Sequence, residues 1–385
     1  MQLYLHMVRL YWISIIKKAW EEKSVVWLTG VRRSGKTTLC NELTPNGYYD
    51  CELPRVRRLL EDPEQFFKEL EVDHITLDEI HRLDNPSEVL KIAADYFKKV
   101  KVIATGSSTL SAGDKFKDTL TDRKRNVFLT PIGLSDMHDF KNNNLKHRLL
   151  HGGLPPFFLS KEFPERSYQD WIDSFWAKDI EELFNLEKKS AFMKMFELLC
   201  LQSGGLFEAK GLATSCGVSH TTIASYLNVM EQTHIAYVLR PYHKNAAKEI
   251  IAAPKVYFFD TGFMSFFKGT TDIHKNDLGI YWEHFVLNEL LTFINREHIH
   301  IWRDKQKNEV DFVIKLRGQD PIAIECKWKA SEFDSKGISK FRDLHPKGIN
   351  LLIASDLESV RIKKHKELTV IHCPLHLLRR ELSVK

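Results

Sequence analysis

From Lys23 onward, short apolar runs alternate with stretches of helical period. Val25 to Thr29 (VVWLT) is one continuous apolar run, which predicts a strand buried on both faces. It leads into a glycine-bearing loop and then a helix beginning near Lys36. Further strands are predicted at YYDCEL, HITLDE, VKVIATG and NVFLTPI, with a helix across Ser87 to Lys99. Strands and helices alternating in this way predict a parallel sheet with helices on both faces. After Pro131 the texture changes. Residues 134–200 are rich in helix formers, with one turn at Gly152 to Pro156. Two short helices then flank a turn at Cys216-Gly217-Val218-Ser219, where Ser219 is placed to cap the second helix. IAYVLRPY and PKVYFFD read as a β-ribbon after it, which completes a winged-helix pattern. The last section reads helix (GIYWEHFVLNELLTFINRE), three strands (HIHIWRDK, NEVDFVIKL, PIAIECKWK), a helix around Lys336 to Leu344, then strand LLIAS. That order predicts a further α/β domain.

The opening stretch MQLYLHMVRLYWISIIKK is apolar but interrupted by Arg9 and closed by Lys17 and Lys18. A membrane span needs about 20 uninterrupted apolar residues, and a signal peptide ends in small residues. The expectation is an amphipathic helix packed on the first domain of a cytoplasmic protein without a membrane partner, with Met7 as a second candidate initiator.

Composition narrows the class. At about 150 residues per domain, a chain of 385 residues holds two or three domains. A 43% hydrophobic and 28% charged content excludes a mostly disordered chain. The net charge of +5 permits an acidic partner without demanding one. None of the six cysteines stand two or three residues apart, which excludes a zinc knuckle or thioredoxin motif, and reduced buried thiols are expected. The histidines show no ligand spacing.

Gly30-Val31-Arg32-Arg33-Ser34-Gly35-Lys36-Thr37 satisfies G-x-x-x-x-G-K-[ST], with Thr38 next. Glycines let the backbone curl so that successive N–H groups face phosphate oxygens at a helix N-terminus. Lys36 would reach the β and γ phosphates of ATP, and Thr37 would hold Mg²⁺. At the end of the third predicted strand, Asp78 suits a second hold on that ion, and Glu79 suits polarisation of the attacking water. Thr105-Gly106-Ser107-Ser108 ends the fourth strand and places hydroxyls, Ser107 among them, beside the γ-phosphate. Arg123 and Arg125, before the last strand, are candidates for an arginine finger to a neighbouring subunit, which would imply a homo-oligomer.

The C-terminal strands carry a second cluster. Along NEVDFVIKL, alternation puts Val310, Phe312 and Ile314 on one face and Glu309 and Asp311 on the other. Along PIAIECKWK it sets Glu325 and Lys327 opposite Ile322, Ile324, Cys326 and Trp328. If the two strands pair, Asp311, Glu325 and Lys327 converge, and Glu283 of the preceding helix can join them. Such carboxylates can bind Mg²⁺ or Mn²⁺ while Lys327 orients or deprotonates a nucleophile. A strand with one solvated face has the same pattern, so spacing alone leaves the metal site open.

The stretches LTGVRRSGKTTL, HITLDEIHRL, VIATGSSTL, FLTPIGLSDM, HGGLPPF, WAKDI, YFFDTGFMSFF, WEHFVLNEL, WRDKQKNEVDFVI and IAIECKW, in this order, resemble the prokaryotic AAA-type ATPases with a C-terminal restriction-endonuclease-like domain. The resemblance implies an α/β fold: a P-loop parallel sheet of order 5-1-4-3-2, a helical lid, a winged helix, then the nuclease-like domain. The corresponding units are 1–135, 136–200, 201–262 and 263–385. It also implies PD-(D/E)xK catalytic positions at Asp311, Glu325 and Lys327, with Glu283 as the helix carboxylate. The chain departs from the pattern at Val31, where proline is frequent, and at Thr121-Asp122-Arg123, where Gly-Arg is usual. His220, Thr221 and Thr222 open a recognition helix that carries few basic residues, which favours packing between domains over reading DNA. The expected function is a Mg²⁺-dependent ATPase coupled to a nuclease-like domain that acts on nucleic acid, DNA before RNA. The alternatives are a regulatory ATPase whose C-terminal domain binds nucleic acid or protein without cleaving, and a transcriptional regulator.

Overall fold

The computed structural model describes residues 8–106, 120–181, 184, 186, 188–243 and 253–382. Ser107 and Ser108 lie outside the described residues.

Five strands form the first sheet: β1 (Val25–Thr29), β2 (Tyr48–Asp50), β3 (His74–Asp78), β4 (Lys101–Thr105) and β5 (Lys124–Phe128). All pairs are parallel and the order is β2-β3-β4-β1-β5. The central strand β1 is buried along its whole length, as a run without polar positions requires. Strand β2 is shorter than the apolar stretch around it, because Cys51 already turns toward the helix Pro54–Leu59. The helix Pro86–Tyr96 also ends before Lys99.

The helix Leu10–Glu22 places Trp12, Ile16 and Trp20 four residues apart on one buried stripe. They pack with Val26, Leu28, Leu39, Ile103 and Val127. Arg9, just before it, is buried rather than solvated. It pairs with Asp136 and donates to Ser34 O and Thr130 O at 3.0 and 2.9 Å. Among the described residues no helix is long and apolar enough to cross a membrane, and all six cysteines are free thiols.

The middle of the chain is helical up to Leu201. Helices Ala209–Cys216 and His220–Gln232 follow, with a small antiparallel sheet of β6 (Gly205–Leu206), β7 (Ala236–Leu239) and β8 (Lys255–Phe258) in order β6-β8-β7. Ser219 caps the second helix by accepting from Thr222 N.

The last sheet has six strands: β9 (Ile299–Arg303), β10 (Glu309–Ile314), β11 (Ile322–Lys327), β12 (Asn350–Ala354), β13 (Arg361–His365) and β14 (Leu368–Cys373). Its order is β13-β14-β12-β11-β10-β9, and it mixes parallel and antiparallel pairs. One expectation is corrected here. A bulge between Val310 and Val313 inserts an extra residue opposite β9 and breaks the alternation along β10. Val310 therefore packs with Val313, Ala323, Ile338 and Phe341, while Phe312 and Ile314 pack with Ile322, Ile324 and Cys326 on the other side.

This sheet does not stand apart from the middle of the chain. A single apolar cluster runs from Phe157 through Phe258 to Leu382. Tyr242 N donates to Ile301 O at 2.6 Å and Ile301 N to Arg240 O at 3.1 Å, so the chain beyond β7 continues onto the edge of β9.

Candidate functional site

The loop after β1 owes its shape to three residues with positive φ: Gly30 (151°), Arg33 (62°) and Gly35 (96°). A Cβ on Gly30 would come within 2.7 Å of Leu129 O, so only glycine fits there. Gly35 ends the loop in the left-handed region and starts the helix Lys36–Leu43. Ser34 is buried with its hydroxyl unpaired, whereas Arg33, Thr37 and Thr38 are exposed. The Lys36 ammonium lies across the loop and donates to Gly30 O at 2.9 Å and Val31 O at 3.1 Å. Enclosure lowers its pKa, against the pull of Glu79, Asp179 and Asp78.

Asp78, at the end of β3, is buried under a ring of hydroxyls. Thr37 Oγ1 donates to its Oδ2 at 3.3 Å, Tyr48 OH donates to the same oxygen, and Thr105 Oγ1 donates to Oδ1. Glu79 adopts left-handed backbone (φ 51°), its N–H donates to Thr105 Oγ1 at 3.1 Å, and its carboxylate meets His81 Nδ1 at 3.1 Å. Burial raises the Glu79 pKa, but the His81 hydrogen bond and the charges of His81, Lys36 and Arg32 outweigh it and hold the carboxyl below its ordinary value.

These groups line a cleft of about 530 Å³, and the middle of the chain supplies part of its wall, including Pro155, Phe175, Lys178, Asp179 and Ile235. Asp179 lies on a π-helical turn, Trp176–Glu181, and accepts from Arg32 Nε at 2.6 Å. Trp171 Nε1 donates to Arg32 O at 3.0 Å. Sequence reasoning did not single out Tyr48, His81, Trp171 or Asp179. The WAKDI stretch carried the last of these, without a spacing rule that would mark it.

Arg123 and Arg125 are not in their own chain's cleft. They flank the start of β5, which pairs with the start of β1, at the opposite end of the sheet from the phosphate loop. Arg123 Nε pairs with Asp95 at 2.8 Å, and Arg125 pairs with Glu22.

In the C-terminal sheet, antiparallel pairing of β10 with β11 brings Asp311 and Glu325 together. Both are buried. Asp311 Oδ2 accepts from Cys326 N at 2.7 Å, and Lys327 Nζ donates to Glu325 Oε1 at 2.7 Å. Glu325 Oε2 is buried without a hydrogen-bond partner. Burial pushes both carboxyls up. Glu283 adds to the rise at Asp311, and Asp311 adds to it at Glu325. Glu283, on the helix Leu278–Leu290, accepts from Tyr257 OH.

A residue absent from the sequence reading completes this cluster. Lys255, at the start of β8, is buried with its ammonium 3.6 Å from Glu283 and in contact with Glu309, which Arg303 also meets at 3.2 Å. Burial lowers the Lys255 pKa, but Glu283, Asp311 and Glu309 together raise it above the ordinary lysine value. Lys327 shifts the same way, with Asp311 and Glu325 overcoming burial. Among the described residues no three Asp, Glu, His or Cys side chains converge closely enough to hold a metal ion by themselves. The unpaired Glu325 oxygen beside Asp311 is the position that fits one.

Residues 22–138 match the family model of an AAA domain, residues 142–273 a domain of unknown function (DUF8612), and residues 278–375 another (DUF4143). With the sheet order and the loop geometry, the first unit is a P-loop domain of the AAA type. The chain is 28% identical over 322 residues to the uncharacterised proteins Rv2008c of Mycobacterium tuberculosis and Mb2031c of Mycobacterium bovis, covering 81% of this chain and 72% of each relative. The uncharacterised protein MJ1544 of Methanocaldococcus jannaschii is 22% identical, covering 73% and 68%. Among solved structures, the Thermotoga maritima RuvB Holliday junction branch migration motor aligns at 17% identity and TM-score 0.31, over 62% of this chain and 93% of that one. The signal transduction ATPase PH0952 of Pyrococcus horikoshii aligns at 14% identity and TM-score 0.28, over 73% of this chain and 46% of that one.

Proposed function

We propose that the chain is a Mg²⁺-dependent ATPase whose nucleotide state governs a C-terminal nuclease-like domain acting on DNA. The observation that carries the ATPase half is the convergence of Lys36, Thr37, Asp78 and Glu79 at one end of the parallel sheet. Lys36, now on Gly30 O and Val31 O, is the group that the β and γ phosphates draw out of the loop. Backbone N–H groups from Gly30 to Thr38, Arg33 and Ser34 included, cradle the phosphates. Thr37 and Asp78 would hold Mg²⁺, which neutralises charge on the transferring phosphoryl group. Glu79, kept anionic by His81, accepts the proton of the attacking water. In this reading Ser107 senses the γ-phosphate, and Arg123 serves the cleft of a neighbouring copy in a homo-oligomer. Phosphate release from ATP by purified protein, lost in Lys36→Ala, tests this half; an active Lys36→Ala protein would overturn it.

The nuclease half rests on Asp311, Glu325 and Lys327 meeting on adjacent strands, in the positions of a PD-(D/E)xK motif. Asp311 and Glu325 would hold Mg²⁺ or Mn²⁺, Glu283 standing behind them, and Lys327 orients the nucleophile. Lys327→Ala should lower Mn²⁺-dependent DNA cleavage by roughly a hundredfold. Absence of cleavage by wild type with any metal and nucleotide would overturn this half.

The four units are assigned to residues 1–135, 136–200, 201–262 and 263–385. The third is read as a winged helix that packs between its neighbours. The buried Ile223, Tyr226, Leu227, Val229 and Met230 on its second helix support this, whereas the opening turn, where Ser219 engages the hydroxyls of Thr221 and Thr222 at 2.7 and 2.8 Å, is largely exposed. A second reading, a regulatory ATPase whose C-terminal domain binds without cleaving, is favoured by the two lysines lodged among the carboxylates. ATP-dependent association with DNA without cleavage, unchanged by Lys327→Ala, would select it.

A further inference from the structure

The carboxylate cluster of the last sheet draws one cation from outside that sheet. Glu283 comes from a helix, Glu309 and Asp311 from β10, Glu325 and Lys327 from β11, but Lys255 arrives from β8 of the small middle sheet. Its ammonium is buried between Glu283 and Glu309. A charged amine is costly to bury unless anions answer it, so a lysine held here is part of the cluster's charge balance.

The balance is informative. Four carboxylates, Glu283, Glu309, Asp311 and Glu325, face three cations, Lys255, Lys327 and Arg303, so with every group ionised the cluster keeps one negative charge, which one divalent ion turns into a single positive one. A second divalent ion would leave the pocket strongly cationic. The positions are unequal as well. At the Glu283–Glu309 end an ammonium already sits between the oxygens. At the Asp311–Glu325 end Lys327 covers only Glu325 Oε1, and Oε2 is buried and unpaired.

We propose that Lys255 is a built-in replacement for a second metal, so that the cluster takes a single divalent cation at Asp311 and Glu325. This rests on the metal reading of the cluster given above. It assigns Lys255 a positioning role: it holds Glu283 and Glu309 together as an ion would, without exchanging with solvent. It also places part of the nuclease-like site on the strand that joins the middle sheet, so that displacement of β8 would change the ion count.

Binding of Mn²⁺, followed by the electron paramagnetic resonance signal of the free ion, tests this on the nucleotide-free full chain. Asp78→Asn in every sample removes the ATPase site's contribution. The parent should bind one ion, and Glu325→Gln should bind none. Lys255→Met should bind two, with the first held on the order of tenfold more tightly because a positive charge a few ångströms away is gone. Lys255→Arg should return the count to one. Two ions in the parent, or one ion of unchanged affinity in Lys255→Met, overturns the inference and leaves the metal reading intact. No ion in the parent overturns both. Should Lys255→Met fail to fold, Lys255→Gln, which removes the charge and keeps a hydrogen-bond donor, should likewise bind two ions, and one ion of unchanged affinity there would refute the replacement.

Discussion

Asp78 and Asp311 are both buried on strands of a central sheet, yet opposite surroundings meet their charge. Around Asp78 the donors are neutral hydroxyls from Thr37, Tyr48 and Thr105. A hydroxyl satisfies lone pairs but cancels no charge, so these bonds leave the Asp78 charge in place, and the proposed ATPase reading assigns it to Mg²⁺ brought with the nucleotide. Around Asp311 and Glu325 the partners include the ammonium groups of Lys327 and Lys255. Those ammonium groups belong to the chain and stay with it, although Glu325 Oε2 is left unpaired. The comparison separates a carboxylate met by neutral hydroxyls from a pair met in part by fixed charges.

The sharpest way to break it is at Lys36 and Glu79. Lys36→Ala and Glu79→Gln should each lower ATP hydrolysis by at least about a hundredfold, measured as phosphate release. Substantial hydrolysis by either would place the chemistry elsewhere. Next, Lys327→Ala should lower Mn²⁺-dependent DNA cleavage by roughly a hundredfold while the basal ATPase rate stays at the wild-type value. Loss of both activities together would show that the two sites share one charge economy and would dissolve the contrast.

A third test lies between the regions. Glu289, at the end of the helix Leu278–Leu290, accepts from Leu134 N at 2.6 Å. Burial, with Asp136 adding, pushes its carboxyl up to about 7. From the ordinary glutamate value to about 7, the folded chain keeps a proton that the unfolded chain releases, so stability falls as pH rises through this window. Glu289→Gln should remove a pH dependence on the order of 2 kcal/mol, read from urea midpoints at pH 5 and pH 8. Identical slopes in the two proteins would refute the assignment. The smallest effect is expected from Tyr48→Phe, which takes one hydroxyl from Asp78. It should cost about 1 kcal/mol of stability and leave the Mn²⁺ stoichiometry of the C-terminal cluster unchanged.

The parts legible in the sequence were local ones. The phosphate loop is eight consecutive residues, and β1 announces itself as an unbroken apolar run. The pairing of β10 with β11 followed from their nearness in the chain, which is why Asp311, Glu325 and Lys327 could be grouped in advance. The bulge in β10 could not be read, because Val310, Phe312 and Ile314 alternate as an undistorted strand would. The β13–β14 hairpin was missed because RIKKH has four exposed positions and no apolar period. Lys255 escaped for a different reason. Its partners come from a helix and a strand far along the chain, and a lysine opening the run KVYF looks like an ordinary solvated strand start. Only the packing of β8 against the C-terminal domain turns it inward.

Arg9 has a practical consequence for anyone trimming or fusing this protein. Its guanidinium ties the backbone of Ser34 in the phosphate loop to Thr130 and Asp136, so the loop is bolted from a point more than twenty residues upstream. A truncation that begins at Leu10 would touch no nucleotide-contacting side chain and would still strip that bolt. It would also leave the Asp136 carboxylate buried without its countercharge. Tags and protease sites therefore belong upstream of Arg9, and a shortened protein with weak nucleotide affinity should be checked for this loss before its active site is blamed.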